Sequence, residues 1–229
     1  GVPLFEAYGM TENCAYATSN SPENIKIGTV GIPAHGVELK LADDGEILIR
    51  SGGVFKGYFK DDQATSETID KDGWLHTGDV GIYEGDFVKI IDRKRDIIIT
   101  SGGKNVSPSE IENKIKVSPF IKEAIVIGDR RKFLSVLIGI EFDTVSNWAL
   151  RKNIPHTTYR DLSEKQEVKD LVWKEISKAN ELTSSLEVRE FRMIPKELDH
   201  EEGELTATQK VKRNVLIDQF SDLIEEMYS

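Results

Sequence analysis

Glycines at positions 28, 31, 36, 45, 52, 53 and 57 cut the first part of this chain into pieces too short for long helices. Between them lie short apolar runs. Glu46-Ile47-Leu48-Ile49-Arg50 and Phe87-Val88-Lys89-Ile90-Ile91 read as strands, bounded by turn signals at Asp44-Gly45 and Glu84-Gly85-Asp86. This half reads as a β-ribbon or barrel. After Asp96 the pattern alternates. Ile97-Ile98-Ile99-Thr100 is a short buried run, and Ser107-Pro108-Ser109-Glu110 predicts a helix start carrying Ile111 and Ile115 on one face. Ala124–Ile127 and Leu134–Ile140 read as strands joined by the charged turn Asp129-Arg130-Arg131-Lys132. Asp143 is placed to cap a helix with Val145, Trp148 and Ala149. Ser163 and Gln166 read as a capping box before the stripe Val168, Leu171, Val172, Ile176 and Ala179. A strand over Glu187–Ile194 and a last helix from about Asn214 complete the reading. The expected class is α+β: a glycine-rich β-ribbon or barrel over residues 1–92, then a small α/β domain over residues 93–229 with a central sheet and flanking helices.

The chain has 229 residues and a net charge of -10, which argues against nucleic acid or an anionic membrane surface as its main partner. An anionic substrate must then be met by local cations. Two runs offer them: Arg93-Lys94-Arg95, and Lys210 with Lys212 and Arg213. The single cysteine, Cys14, excludes an intramolecular disulfide framework and a four-cysteine zinc site. Histidines 35, 76, 156 and 200 have no metal-ligand spacing. No apolar run approaches the ~18 residues of a membrane span. No signal peptide opens the chain, so a reduced, cytoplasmic setting is the default expectation.

Five polar segments could carry chemistry. Tyr8-Gly9-Met10-Thr11-Glu12 puts an aromatic ring, a flexible glycine, a hydroxyl and a carboxylate within five residues. Such a set can stack a base, bond a phosphate and hold magnesium, which needs only one or two protein carboxylates; it can equally be a plain loop. Asp79, in Trp74-Leu75-His76-Thr77-Gly78-Asp79, can bond a ribose diol or merely satisfy turn backbone. Asp92-Arg93-Lys94-Arg95-Asp96 can be a basic turn or a pivot between domains, and Ser101-Gly102-Gly103-Lys104 permits close backbone approach but lacks P-loop spacing. Lys210, ahead of the last helix, is a mobile ammonium suited to phosphate and carboxylate oxygens, or one more solvated surface lysine.

In this order the segments resemble the adenylate-forming superfamily of acyl-CoA synthetases, luciferases and peptide-synthetase adenylation domains. The resemblance covers essentially the whole chain: Tyr-Gly-Met-Thr-Glu, Gly45 to Ile49 running on to Gly57-Tyr58, Gly73 to Asp79, Asp92 to Asp96, and the Lys210 loop. Thr100 to Val106 and Leu205-Thr206-Ala207-Thr208-Gln209-Lys210 look most like long-chain fatty acyl-CoA synthetases; many other branches carry glycine where this chain has Gln209.

The resemblance implies roles by position. Tyr8 lies against adenine, Gly9 and Thr11 belong to the nucleotide loop with Thr11 bonding phosphate, and Glu12 holds Mg2+. Asp79 accepts the ribose hydroxyls, with Arg93 near ribose and phosphate. Arg95 stands at the hinge position, often lysine or aspartate in the family. Lys210 bridges fatty carboxylate and α-phosphate, and the loop of Gly102, Gly103 and Lys104 faces coenzyme A. The implied substrates are a fatty acid, ATP and coenzyme A, with AMP as product; peripheral membrane association of the parent enzyme stays open, and oligomeric state is not readable. The family's Ser/Thr/Gly-rich triphosphate loop and acyl pocket are not found, so the chain is expected to be the tail of a large N-terminal domain followed by the C-terminal domain, inactive alone. An aryl- or medium-chain ligase, or a stand-alone binding module, are the other readings.

Overall fold

A computed structural model describes Val2, residues 4–182 and residues 187–229. The chain divides into two compact units, residues 1–96 and residues 97–229.

In the first unit, β1 (Ala7–Tyr8), β2 (Thr18–Ser19) and β3 (Ile32–Pro33) form a small antiparallel sheet. A second, four-stranded antiparallel sheet runs in the order β4 (Val37–Leu41), β5 (Glu46–Ser51), β6 (Leu75–Glu84), β7 (Phe87–Arg93). The continuous apolar run of β5 is explained by its place between β4 and β6, where Ile47 and Ile49 are wholly buried. One short helix, α1 (Asp62–Thr68), is capped by Asp61, whose side chain accepts from the Ala64 amide. The core joins Ala17, Ile47, Ile49, Leu75 and Val88, with Tyr8 packed against it.

The second unit opens with a hairpin, β8 (Ile98–Ile99) and β9 (Asn105–Val106). Helix α2 (Pro108–Ile115) follows with the cap the sequence predicts: the Ser107 side chain accepts from the Glu110 amide. A three-stranded sheet pairs β10 (Ile121–Ile127) antiparallel with β11 (Leu134–Ile140), and β11 parallel with β12 (Val188–Met193). Between β11 and β12 the chain passes through α3 (Phe142–Arg151), α4 (Tyr159–Glu164) and α5 (Gln166–Glu181). Val168, Val172, Ile176 and Ala179 of α5 bury the stripe read from the sequence. The chain ends in α6 (Arg213–Gln219) and α7 (Ser221–Glu226). α2, α5 and one face of the sheet enclose a core around Ile111, Val136, Ile138 and Ile176; a second core joins Leu137, Leu216, Phe220 and Ile224.

Several expectations are corrected. The break between the units falls at 96/97 rather than 92/93, because β7 runs through Arg93 and Lys94 is bonded to Asp44 and Glu46 of the first unit. Ser163 does not cap α5. It lies inside α4, its hydroxyl donating to the Arg160 carbonyl, and α5 starts after Lys165. Asp143 is in the first turn of α3 rather than at its cap, which is Glu141. The last helix is two, parted at Phe220. Gly102 and Gly103 sit at the tip of the β8–β9 hairpin.

Candidate active site

In the first unit the structure brings Tyr8, Asp79 and Arg93 together. Asp79 and Arg93 are cross-strand partners on β6 and β7, so their side chains meet on one face. The Arg93 Nε lies 2.9 Å from Asp79 Oδ1, and the Tyr8 hydroxyl donates to Asp79 Oδ2 at 2.5 Å. The Asp79 amide donates to the Thr77 hydroxyl oxygen (3.1 Å), which in turn donates to the Ile47 carbonyl (2.7 Å). A nearly buried carboxylate thus finds a guanidinium and a phenol as its partners. Burial and the bond to Asp79 push the Tyr8 phenol well above its ordinary value, so it stays a donor at any working pH.

Gly9 answers a steric need: a Cβ there would meet the Ala15 carbonyl carbon at 2.3 Å. The close approach comes from a tight loop in which the Met10 carbonyl accepts from the amides of Asn13 (3.1 Å) and Ala15 (2.8 Å). The same loop carries Thr11, exposed, and Glu12, whose Oε1 accepts from the Tyr58 hydroxyl at 2.9 Å. Among the described residues no group of three His, Cys, Asp or Glu could hold a metal. Glu12 therefore fits magnesium only as a single carboxylate, with phosphate and water completing the shell.

The Arg93-Lys94-Arg95 run is not the free cation cluster its sequence suggests. Arg93 faces Asp79, and Lys94 lies 2.6 Å from Asp44 and 2.9 Å from buried Glu46. Burial works to raise the Glu46 carboxyl, but hydrogen bonds from Lys94, His76 and the Gly78 amide outweigh it and hold it below its usual range. Arg95 alone is open, its side chain 83% exposed and 4.0 Å from Asp96.

In the second unit, Lys210 closes a tight hairpin whose strands pair at Leu205 and Val211. The Thr206 amide donates to the Lys210 carbonyl at 2.7 Å, the Gln209 amide to the Thr206 carbonyl at 2.9 Å, and the Lys210 amide to the Thr206 hydroxyl at 3.0 Å. Gln209 takes a left-handed φ of 61°, the conformation glycine adopts most easily. The hairpin is clamped at its base. Wholly buried Glu204 lies 2.8 Å from Lys196, accepts from the Asp199 amide, and offers its carbonyl to the Lys212 amide. Arg213 reaches inward, 2.6 Å from Glu112 and 2.9 Å from the Val126 carbonyl. Lys210 itself is exposed, with no carboxylate in ion-pair range among the described residues. So the second cation run also splits, into an anchor, Arg213, and outward lysines.

Residues 95–229 match the family model described as the AMP-binding enzyme C-terminal domain, and residues 1–59 match that of the AMP-binding enzyme. The chain belongs to the AMP-binding enzymes. It is 38% identical over 232 residues to the long-chain-fatty-acid–CoA ligase FadD15 of Mycobacterium tuberculosis, the alignment taking in 100% of this chain and 38% of that protein. With the human long-chain-fatty-acid–CoA ligase 6 it shares 35% identity over 245 residues, 100% of this chain and 35% of that protein. Among solved structures, the o-succinylbenzoate coenzyme A synthetase of Bacillus subtilis in complex with AMP superposes with a TM-score of 0.66 at 26% identity, covering 93% of this chain and 40% of that one. The adenylation domain of a Mycobacterium chelonae carboxylate reductase, at 22% identity, shares the fold with a TM-score of 0.74, over 98% of this chain and 34% of that one. The chain thus spans about 38% of the FadD15 ligase length.

The motif reading missed how these groups are held: by Tyr58 on Glu12, by Glu46 beneath Lys94, and by Glu204 and an inward Arg213 at the hairpin base. One signal was open to inspection. Threonine stands four places before lysine at both Thr100–Lys104 and Thr206–Lys210.

Proposed function

We propose that this chain serves an AMP-forming long-chain fatty acid–CoA ligase. In the first half-reaction a carboxylate oxygen attacks the α-phosphorus of ATP and pyrophosphate leaves. In the second, the coenzyme A sulfur attacks the acyl carbon, the carbon–oxygen bond to AMP breaks, and the thiol proton passes to solvent. Both steps bring anions together, and preorganised cations offset that repulsion. The observation that carries the reading is Lys210: an exposed ammonium on a hairpin fixed at both feet, near an arginine already committed to a carboxylate.

In this reading Tyr8 lies against adenine, and the outer lone pairs of Asp79 accept the ribose hydroxyls while Tyr8 and Arg93 hold the carboxylate in place. Gly9 lets the nucleotide loop fold tightly, Thr11 bonds phosphate, and Glu12 is the protein ligand of Mg2+. Mg2+, when bound, supplies charge neutralisation at the phosphates. Arg95, open to solvent at the junction of the two units, is the pivot that lets the Lys210 hairpin and the Gly102-Gly103 turn serve successive steps. Long-chain acids are favoured over aryl or medium-chain acids by the relatives named above. No helix among the described residues is long and apolar enough to cross a membrane.

The test exchanges this chain for the matching segment of the M. tuberculosis FadD15 ligase and assays palmitate, decanoate and benzoate. Palmitoyl-CoA and AMP in equal amounts, with benzoate unused, is the expected outcome. A hybrid that makes AMP without thioester overturns the ligase reading.

A further inference from the structure

The segment after β5 grips Glu12 twice. The Phe55 amide donates to the Glu12 carbonyl at 2.8 Å, and the Tyr58 hydroxyl donates to Glu12 Oε1 at 2.9 Å. The first bond fixes the backbone that bears the carboxylate, and the second fixes the carboxylate itself. Tyr58 reaches it from 46 positions further along the chain.

The phenol is aimed by a frame built for it. Gly57 takes a φ of 144°, and a Cβ there would meet the Thr65 side chain at 2.6 Å, so glycine lets the chain pass this close to α1. The close approach is used. The Tyr58 amide donates to the Thr65 hydroxyl oxygen at 2.9 Å, and that hydroxyl donates to the Asp61 carbonyl at 2.8 Å. The Phe55 and Tyr58 rings meet edge to face with centroids 4.9 Å apart. Backbone and ring of Tyr58 are thus both held. Yet the residue is 38% exposed, so water could serve its hydroxyl as well as a carboxylate does, and folding alone does not call for this bond.

What the bond does is limit the carboxylate. A free glutamate can meet a cation through one oxygen or through both. Ca2+ takes both readily in a loose shell of roughly six to eight oxygens, whereas Mg2+ demands a compact octahedron that one oxygen suits better. With Oε1 holding the phenol proton, Glu12 is left to bind through Oε2.

We infer that Tyr58 is a positioning residue that keeps Glu12 a one-oxygen ligand and so tunes the nucleotide site to Mg2+ over Ca2+. The inference rests on the reading of Glu12 as the metal ligand and adds to it the residue that sets how Glu12 binds.

The test titrates the FadD15 hybrid with ATP by calorimetry, once with Mg2+ in excess, once with Ca2+ in excess and once with EDTA in place of metal. Tyr58→Phe removes the hydroxyl and keeps the ring against Phe55. It is expected to lower the ratio of Mg2+-ATP to Ca2+-ATP affinity about tenfold, the share of one hydrogen bond to a charged group, and to leave metal-free ATP unaffected. In a Glu12→Gln background the same change is expected to do nothing more. Equal weakening in all three titrations, as a merely structural role would give, overturns the inference. A ratio unmoved by Tyr58→Phe but lost in Glu12→Gln also overturns it, while leaving Glu12 as the ligand. A ratio that survives Glu12→Gln removes both. The expected shift in a hybrid that forms no thioester supports the role of Tyr58 and removes the ligase reading.

Discussion

Both oxygens of the Asp79 carboxylate already hold a proton donor of the first unit, so its remaining lone pairs point in fixed directions. That is the arrangement a diol needs, and Asp79→Asn keeps the size while removing the charge. AMP affinity of the 229-residue chain should fall about tenfold or more, by calorimetric titration, because hydrogen bonds to a charged acceptor are the strong ones; unchanged affinity would remove Asp79 from the site. Glu46 makes a prediction about acid. Its carboxyl is held below its ordinary value of 4.5, so it adds stability above that value and loses it as pH falls through the lower, folded-state one. Urea unfolding should show Glu46→Gln less stable at neutral pH by about 1–3 kcal/mol and less sensitive to acid below 4.5. At Gln209 the left-handed φ of 61° strains any side chain. Gln209→Gly is expected to raise the stability of the second unit by up to about 1 kcal/mol without moving Lys210. Tyr8 and Asp79 were legible because each sits in a compact motif. Glu46 was not, since its partners come from 30, 32 and 48 positions further on.

The elements read most clearly were those whose pattern is local. The Ser107 cap and the buried stripe of α5 follow directly from spacing. The start of α5 did not, because a serine three residues before a glutamine also suits the end of a preceding helix, and α4 claims Ser163. Short α4 itself depends on the Thr158 cap, whose side chain accepts from the Asp161 amide. Helix α6 shows what tertiary context adds. Arg213 at its start looks like a third cation beside Lys210, yet it is the bolt that ties the helix to α2 and β10 through Glu112 and the Val126 carbonyl. Glu112 also accepts from the Val126 amide at 2.7 Å, so the pair is locked from both sides. Arg213→Ala leaves that buried carboxylate without its cation, and should cost the second unit about 3–5 kcal/mol in chemical denaturation. Adding Glu112→Gln to it should recover part of the loss, whereas additive losses would refute the coupling.

At the scale of the molecule, the division into residues 1–96 and 97–229 is matched by the cores. One apolar cluster lies wholly in the first unit, and two lie wholly in the second. Calorimetry is expected to resolve two transitions, with Arg213→Ala lowering one and Glu46→Gln the other; a single transition shifted by both would contradict independent units. Glycine punctuation made the β character of the first unit legible, and alternating periodicity did so for the second. Which cations are spent inside each unit was hidden, because ion pairing over 48 and 101 positions leaves no local pattern. That sorting of charge underlies the central claim, that Lys210, an ammonium left outward on a clamped hairpin, serves adenylation. The most direct test is the split of half-reactions in the FadD15 hybrid carrying Lys210→Gln. Palmitate-dependent exchange of pyrophosphate into ATP should fall about 10²–10³-fold, while transfer from preformed palmitoyl-AMP to coenzyme A continues. Exchange at the unsubstituted rate, or equal loss of both steps, would contradict it.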